Sequence, residues 1–129
     1  TSPFRKAEFY FDSLELMKPG VDMVVSVNEA KANPYFNLFE EDNFGNLKIS
    51  KYSDRIVRRQ DAPKVYQYNG VMYLINTNSL RSAGSLSAFD CIKKYEIPSE
   101  YSVDIDNALD FHVAEYLISN KLVQVDGKC

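Results

Sequence analysis

Lys18-Pro19-Gly20-Val21-Asp22-Met23-Val24-Val25-Ser26-Val27 is the stretch on which the fold turns. Pro-Gly stops a helix and turns the chain. The run Val21–Val27 is apolar and β-branched apart from Asp22 and Ser26, the composition of a strand buried on both faces. Upstream, residues 5–17 carry Phe9, Leu14, Leu16 and Met17 with Ala7 and Phe11 between, and read as one helix. Ser2 is placed to cap it, and Pro3 suits its first turn. Helix, turn and buried strand are half of a βαβ unit, so the pattern predicts an α/β fold.

Downstream the texture changes. Residues 33–53 read as a hairpin: Pro34–Phe39 as a short strand, Asp42–Asn46 as a turn, and Leu47–Ser50 as an alternating partner strand. A hairpin inserted into an α/β domain serves as a lid, as an oligomer contact, or as an ordinary surface excursion. Val65–Tyr68 and Val71–Ile75 read as two strands with Asn69-Gly70 as the turn between them. Residues 79–87 read as a polar loop, Lys94–Ile97 as a strand ended by Pro98, and residues 107–119 as a last helix. On that helix Leu109, Val113, Tyr116 and Leu117 form the apolar face. There are no internal repeats, and residues 1–129 suit a single domain.

Composition narrows the function. Fifteen Lys and Arg against eighteen Asp and Glu leave a net charge of −3, which excludes a strongly basic nucleic-acid footprint. Nothing approaches the ~20 apolar residues of a membrane span, and the start carries no signal-peptide pattern. Two cysteines, Cys91 and Cys129, are too few for a disulfide scaffold and suit a reduced, cytoplasmic setting. His112 is the only histidine, so a histidine metal site or a Ser-His-Asp triad is poorly supported. The five glycines are scattered, and no phosphate-cradling loop is present. The opening Thr1-Ser2-Pro3-Phe4-Arg5, without a methionine, reads as the interior of a longer protein.

Three clusters carry candidate chemistry. In extended chain, residues two apart point to one side, so Asp104 and Asp106 converge while Ile105 faces the core. Converging carboxylates repel unless a cation lies between them, and Mg²⁺ is the natural ion. The competing role for Asp106 is as N-cap of the last helix, with Asp110 in its first turn. Arg58-Arg59-Gln60-Asp61 offers planar guanidinium forks for phosphate or carboxylate, or else a solvated face in which Asp61 pairs with a neighbouring arginine. Asn69 and Tyr73 offer an amide at a pocket mouth and a hydroxyl from a strand, or else a hairpin turn and a core tyrosine.

Taken in order, these pieces resemble one family. Thr1-Ser2-Pro3-Phe4-Arg5 is similar to the end of a Leu-Gln-Pro-Thr-Ser-Pro-(Leu/Phe)-Arg motif. Arg58–Pro63, Tyr66 and Asn69–Tyr73 resemble a central motif. Ser102–Asp106, Leu109-Asp110-Phe111 and Ala114-Glu115 resemble a closing one. Together they resemble the acylneuraminate cytidylyltransferases, or CMP-sialic acid synthetases. The resemblance implies a Rossmann-like nucleotidyltransferase fold, with a mixed sheet and flanking helices. It implies an enzyme of cell-surface polysaccharide biosynthesis that joins CTP to a nine-carbon 2-keto sugar acid and releases pyrophosphate. Asp104 and Asp106 match the Mg²⁺ pair, with Asp106 also the catalytic group that draws the proton from the attacking hydroxyl. Arg59, Gln60, Asn69 and Tyr73 match substrate-binding positions, Arg59 near the sugar carboxylate. Residues 33–53 match a dimerisation element and imply a homodimer.

Family members begin with a strand and a Pro-Ala-Arg-Gly-Gly-Ser-Lys type loop that grips the CTP phosphates. Nothing here matches that loop, so the resemblance is to the carboxy-terminal part, and this portion alone is expected to be inactive or nearly so. Leu86 and Phe89 are the nearest apolar candidates for holding an acyl group, and sialic, legionaminic and pseudaminic acids stay open as substrates. The rival readings are a metal-dependent glycosyltransferase-like domain with an Asp-x-Asp site, and a non-catalytic dimerisation or binding fragment.

Overall fold

A computed structural model describes residues 1–124, so Cys129 lies outside the described residues. The chain divides into two compact units, residues 1–28 with those from 68 on, and residues 29–67.

The larger unit is built on a three-stranded sheet ordered β4–β1–β5. Its centre is β1 (Met23–Glu29), the buried run singled out by its sequence. Met23, Val24, Val25, Ser26 and Val27 are each at most 1% exposed, as a strand covered on both faces must be. The strand starts two residues later than its composition suggests. Val21 N–H closes the Pro-Gly turn onto Lys18 O at 3.0 Å, and Gly20 takes the positive φ of 86° that the turn requires. β1 pairs in parallel with β5 (Ile92–Glu96), Met23 opposite Ile92 and Val27 opposite Glu96. On the other side lies β4 (Tyr66–Ile75). There Asn76 N–H reaches Asp22 O at 2.8 Å and Met72 N–H reaches Ser26 Oγ at 2.8 Å. Residue numbers rise on one strand as they fall on the other, so this pair is antiparallel and the sheet is mixed.

β4 replaces the two strands and turn expected around Asn69-Gly70. Gly70 sits inside a continuous strand at φ 73°, the mark of a bulge, which inserts one extra residue. The bulge changes which residues share a face. Tyr68 and Tyr73 are five apart and would alternate to opposite faces, yet their rings meet edge-on at 6.1 Å. Tyr73 is therefore exposed, and the core-tyrosine reading does not hold.

α1 (Ala7–Leu16) begins later than expected, with Lys6 as N-cap and no side-chain cap. Ser2 and Pro3 are not in the helix. Phe4, 1% exposed, draws the opening segment into the core, where Ser2 is also buried. Phe9 is buried with it and meets the Tyr101 ring edge-on at 5.5 Å, alongside Val71, Ile97 and Ala114.

The polar stretch read as a loop from residue 79 is largely α2 (Thr77–Ala83). Asn76 caps it by accepting from Asn78 and Ser79 N–H, and Gly84 ends it at φ 74°. α3 (Ala108–Ser119) is capped by Asn107, not by Asp106. Its expected apolar face is turned the wrong way: Leu109, Val113 and Tyr116 are exposed, Ala114 is buried, and Leu117 is only partly covered.

In the smaller unit, β2 (Phe39–Glu41) and β3 (Leu47–Ile49) form the expected antiparallel hairpin, Phe39 opposite Ile49. Residues 34–37 form a turn instead of a strand. Asn33 Oδ1 accepts from Tyr35 N–H at 3.0 Å, and Asn33 O gathers the N–H groups of Phe36, Asn37 and Leu38. Among the described residues no helix is long and apolar enough to cross a membrane, and Cys91 is a free thiol.

Candidate functional site

The acidic pair follows the alternation its sequence implies. Val103 and Ile105 pack against the core cluster, while Asp104 and Asp106 lie on the open side, with side chains 50% and 78% exposed. Thr1 runs beside this segment, its nitrogen donating to Ile105 O at 3.0 Å and its carbonyl accepting from Ile105 N–H at 2.9 Å. The same nitrogen lies 2.6 Å from Asp104 Oδ1 and 3.8 Å from Asp106 Oδ1. Two carboxylates thus lie on one side of the segment, both within 4 Å of a single main-chain nitrogen.

Asp110 is occupied otherwise. Its Oδ2 accepts from Asp106 N–H and Asn107 N–H, each at 3.0 Å, while Asn107 Oδ1 accepts from Leu109 and Asp110 N–H. This reciprocal cap fixes the end of the acidic segment against α3 and leaves the Asp106 carboxylate without a capping duty. Among the described residues no group of three or more His, Cys, Asp or Glu is arranged to hold a metal. Two carboxylates with open space beside them are a donor set that suits Mg²⁺, which keeps waters and takes substrate phosphates as its other ligands.

Asn69 lies behind this segment, buried in β4 at 9% exposure rather than at a pocket mouth. Its Oδ1 accepts from Ser26 Oγ at 2.6 Å and from Val71 N–H at 3.3 Å. Its Nδ2 donates to Asn28 Oδ1 at 3.1 Å and to Ser102 Oγ at 3.0 Å. Tyr73 projects from the same strand with its ring against Tyr68.

Arg59 and Gln60 belong to the smaller unit, in a short 3₁₀ turn (Arg59–Asp61). Asp61 accepts from Arg58 N–H at 3.2 Å and so stabilises its own turn. The Arg59 guanidinium lies 4.6 Å from the Phe36 ring centre. Both Arg59 and Gln60 line a cavity of about 350 Å³ whose wall also includes Lys31, Asn33 and Phe36. Beside it Lys64 pairs with Glu29 at 2.7 Å.

The structure thus brings Asp104 and Asp106 together, ties Asn69 to their segment, exposes Tyr73 and seats Arg59 and Gln60 on one cavity. Ser26, Asn28, Ser102, Lys31 and Phe36 were not singled out by sequence. Ser102 had a usable signal, sharing the parity of Asp104 and Asp106. The others are defined by partners far away in the chain.

No protein-family model matches the chain. It is similar to the CMP-N,N'-diacetyllegionaminic acid synthase of Campylobacter jejuni, 32% identical over 98 residues, covering 76% of this chain and 40% of that protein. It is similar to post-translational flagellin modification protein B of Campylobacter coli, 31% identical over 103 residues, covering 80% of this chain and 43% of that protein. The N-acylneuraminate cytidylyltransferase of Streptococcus agalactiae is 28% identical over 120 residues, covering 91% of this chain and 28% of that protein. The chain spans less than half the length of these curated relatives. The matches cover three quarters or more of its own residues, a pattern consistent with a carboxy-terminal portion of the acylneuraminate cytidylyltransferase family.

Proposed function

We propose that this chain serves a nucleotidyltransferase that makes a CMP-sugar from CTP and a 2-keto sugar acid of the sialic or legionaminic class. The observation that carries the reading is that Asp104 and Asp106 share the open side of a segment whose alternate residues pack on the core and whose end is fixed by the α3 cap. The names of the relatives support the substrate class, and the mixed α/β sheet is compatible with a nucleotidyltransferase-like fold.

In this reaction the anomeric oxygen forms a bond to the α-phosphorus, the α–β phosphoanhydride bond breaks, and pyrophosphate leaves with the pair of electrons. Asp104 and Asp106 would together hold Mg²⁺, which would neutralise charge on the phosphate oxygens. Asp106, the more exposed of the two carboxylates, accepts the hydroxyl proton. Arg59 presents its planar fork to the sugar carboxylate, with Gln60 beside it as a neutral donor. Tyr73 offers a hydroxyl and an exposed aromatic edge to the sugar. The hairpin β2–β3 is assigned to contact with a second copy, because Phe39, Phe44 and Leu47 are all exposed on it. A CTP-consuming reaction and a free thiol both suit the cytoplasm.

The test is pyrophosphate release by the full-length protein supplied with CTP, Mg²⁺ and, in turn, sialic, legionaminic and pseudaminic acids. Release dependent on one of these acids is the expected result. No release with any acid, combined with turnover of a preformed sugar nucleotide, would return the Asp-x-Asp pair to a glycosyltransferase role.

A further inference from the structure

We infer that Asn69 is a positioning residue that sets the acidic segment through Ser102, and is not a ligand of the sugar acid. The inference rests on the proposed function for the purpose of the segment, and on the hydrogen-bond geometry for the rest.

A side-chain amide has two N–H donors and an oxygen that accepts two bonds. At Asn69 all four are used within the protein, by Ser26, Val71, Asn28 and Ser102. The orientation of the amide is fixed by chemistry. Val71 N–H can only donate, so the atom facing it must be the oxygen. Asn28 gives its own Nδ2 to Ile97 O, so its Oδ1 is left to accept from Asn69. Ser102 Oγ donates to Pro98 O at 3.3 Å, which turns a lone pair toward Asn69 Nδ2. A sugar acid would have to displace one of these partners from a nearly closed site and leave a buried polar group unpaired.

The four partners lie on different parts of the fold. Ser26 and Asn28 belong to β1, Val71 to β4 beyond the bulge, and Ser102 opens the segment that bears the carboxylates. Asn69 therefore locks the start of Ser102–Asp106 to the two strands of the sheet, while the α3 cap locks its end. Asp104 is two residues beyond Ser102, so a shift at the serine passes directly along the backbone to both carboxylates.

The experiment uses Ser102→Ala, Ser102→Thr, Asn69→Ala and the Asn69→Ala/Ser102→Ala pair in the full-length protein. One readout is the split of kcat from the sugar KM; the other is Mn²⁺ affinity by calorimetry without substrates. Ser102→Ala is expected to lower kcat and weaken Mn²⁺ binding by about tenfold, the scale for lost support behind a ligand. The sugar KM should stay unchanged, and Ser102→Thr, which keeps the hydroxyl, should restore both. The double variant should be no worse than Asn69→Ala alone. A raised sugar KM with kcat intact in Asn69→Ala, or a Ser102→Ala protein with normal kcat and Mn²⁺ affinity, overturns the inference. The Ser102 series decides the matter even if Asn69→Ala does not fold. If the wild type releases no pyrophosphate, the proposed function fails by itself, and the Mn²⁺ series still tests the positioning.

Discussion

Asp106 and Asn107 are neighbours, equally good helix caps by type, and the fold gives them different work. Asn107 accepts from Leu109 and Asp110 N–H, while Asp106 contributes only its backbone N–H to the cap. Asn107→Ala is therefore expected to cost about 1 kcal/mol of stability in denaturant unfolding and to leave Mn²⁺ affinity intact. Asp106→Ala should do the opposite, leaving stability within about 0.5 kcal/mol and abolishing pyrophosphate release by the full-length protein at any Mg²⁺ concentration. Near-normal turnover by Asp106→Ala would remove it from the chemistry. Arg59→Ala should raise the KM for the sugar acid much more than that for CTP, because a planar fork matches a carboxylate; equal effects on both would argue against that contact. The acidic pair was legible because two-residue parity is local. The choice of cap was not, since one residue of register separates the candidates and only the backbone hydrogen bonds decide it.

At the scale of elements, β4 shows how a local signal is reinterpreted by its surroundings. Asn-Gly between apolar runs is a strong hairpin signal. Here the flanking runs belong to one strand alongside β1, so the positive φ of Gly70 serves a bulge instead. A Cβ at Gly70 would lie 3.5 Å from Ser2 Oγ, an ordinary contact, so space is not the obstacle. Gly70→Ala should nonetheless cost about 1–2 kcal/mol from left-handed strain alone, measurable by chemical unfolding. The hairpin turn makes a second prediction. Asp42 Oδ1 accepts from Phe44 N–H at 2.9 Å and Asn46 N–H at 3.0 Å, and Lys48 lies 3.1 Å from its other oxygen. The Asn46 N–H bond first, then those of Phe44 and Lys48, hold its carboxyl below the ordinary 3.8. A depressed folded value means that the contribution is fully present above the unfolded value and is lost as pH falls through the folded one. Amide-exchange protection across β2–β3 should thus weaken on acidification below about pH 4, and Asp42→Asn should flatten that dependence. Protection that ignores pH in this range would show that the charge on Asp42 is irrelevant to the turn.

At the scale of the whole molecule, exposed apolar side chains on the hairpin lead to the expectation of a homodimer. Sedimentation of the protein should give twice the chain mass, and Leu47→Glu should return it to one; a wild-type monomer would withdraw the hairpin from that role. The sequence alone determined the central strand, because a continuous β-branched run has no low-energy place except between two strands and two covering layers. It determined the helix before Pro19, the hairpin near Gly45 and the parity of the two carboxylates, all consequences of short-range geometry. Tertiary structure decided what depends on distant partners. It drew Phe4 into the core and left Ser2 out of the helix, rotated α3 so that Ala114 rather than Leu109 faces inward, and made Asn69 an internal tie. Burial is a property of the neighbours that arrive from elsewhere in the chain, and a hydrogen bond spanning 33 residues, as from Asn69 to Ser102, leaves no period in the sequence to be read.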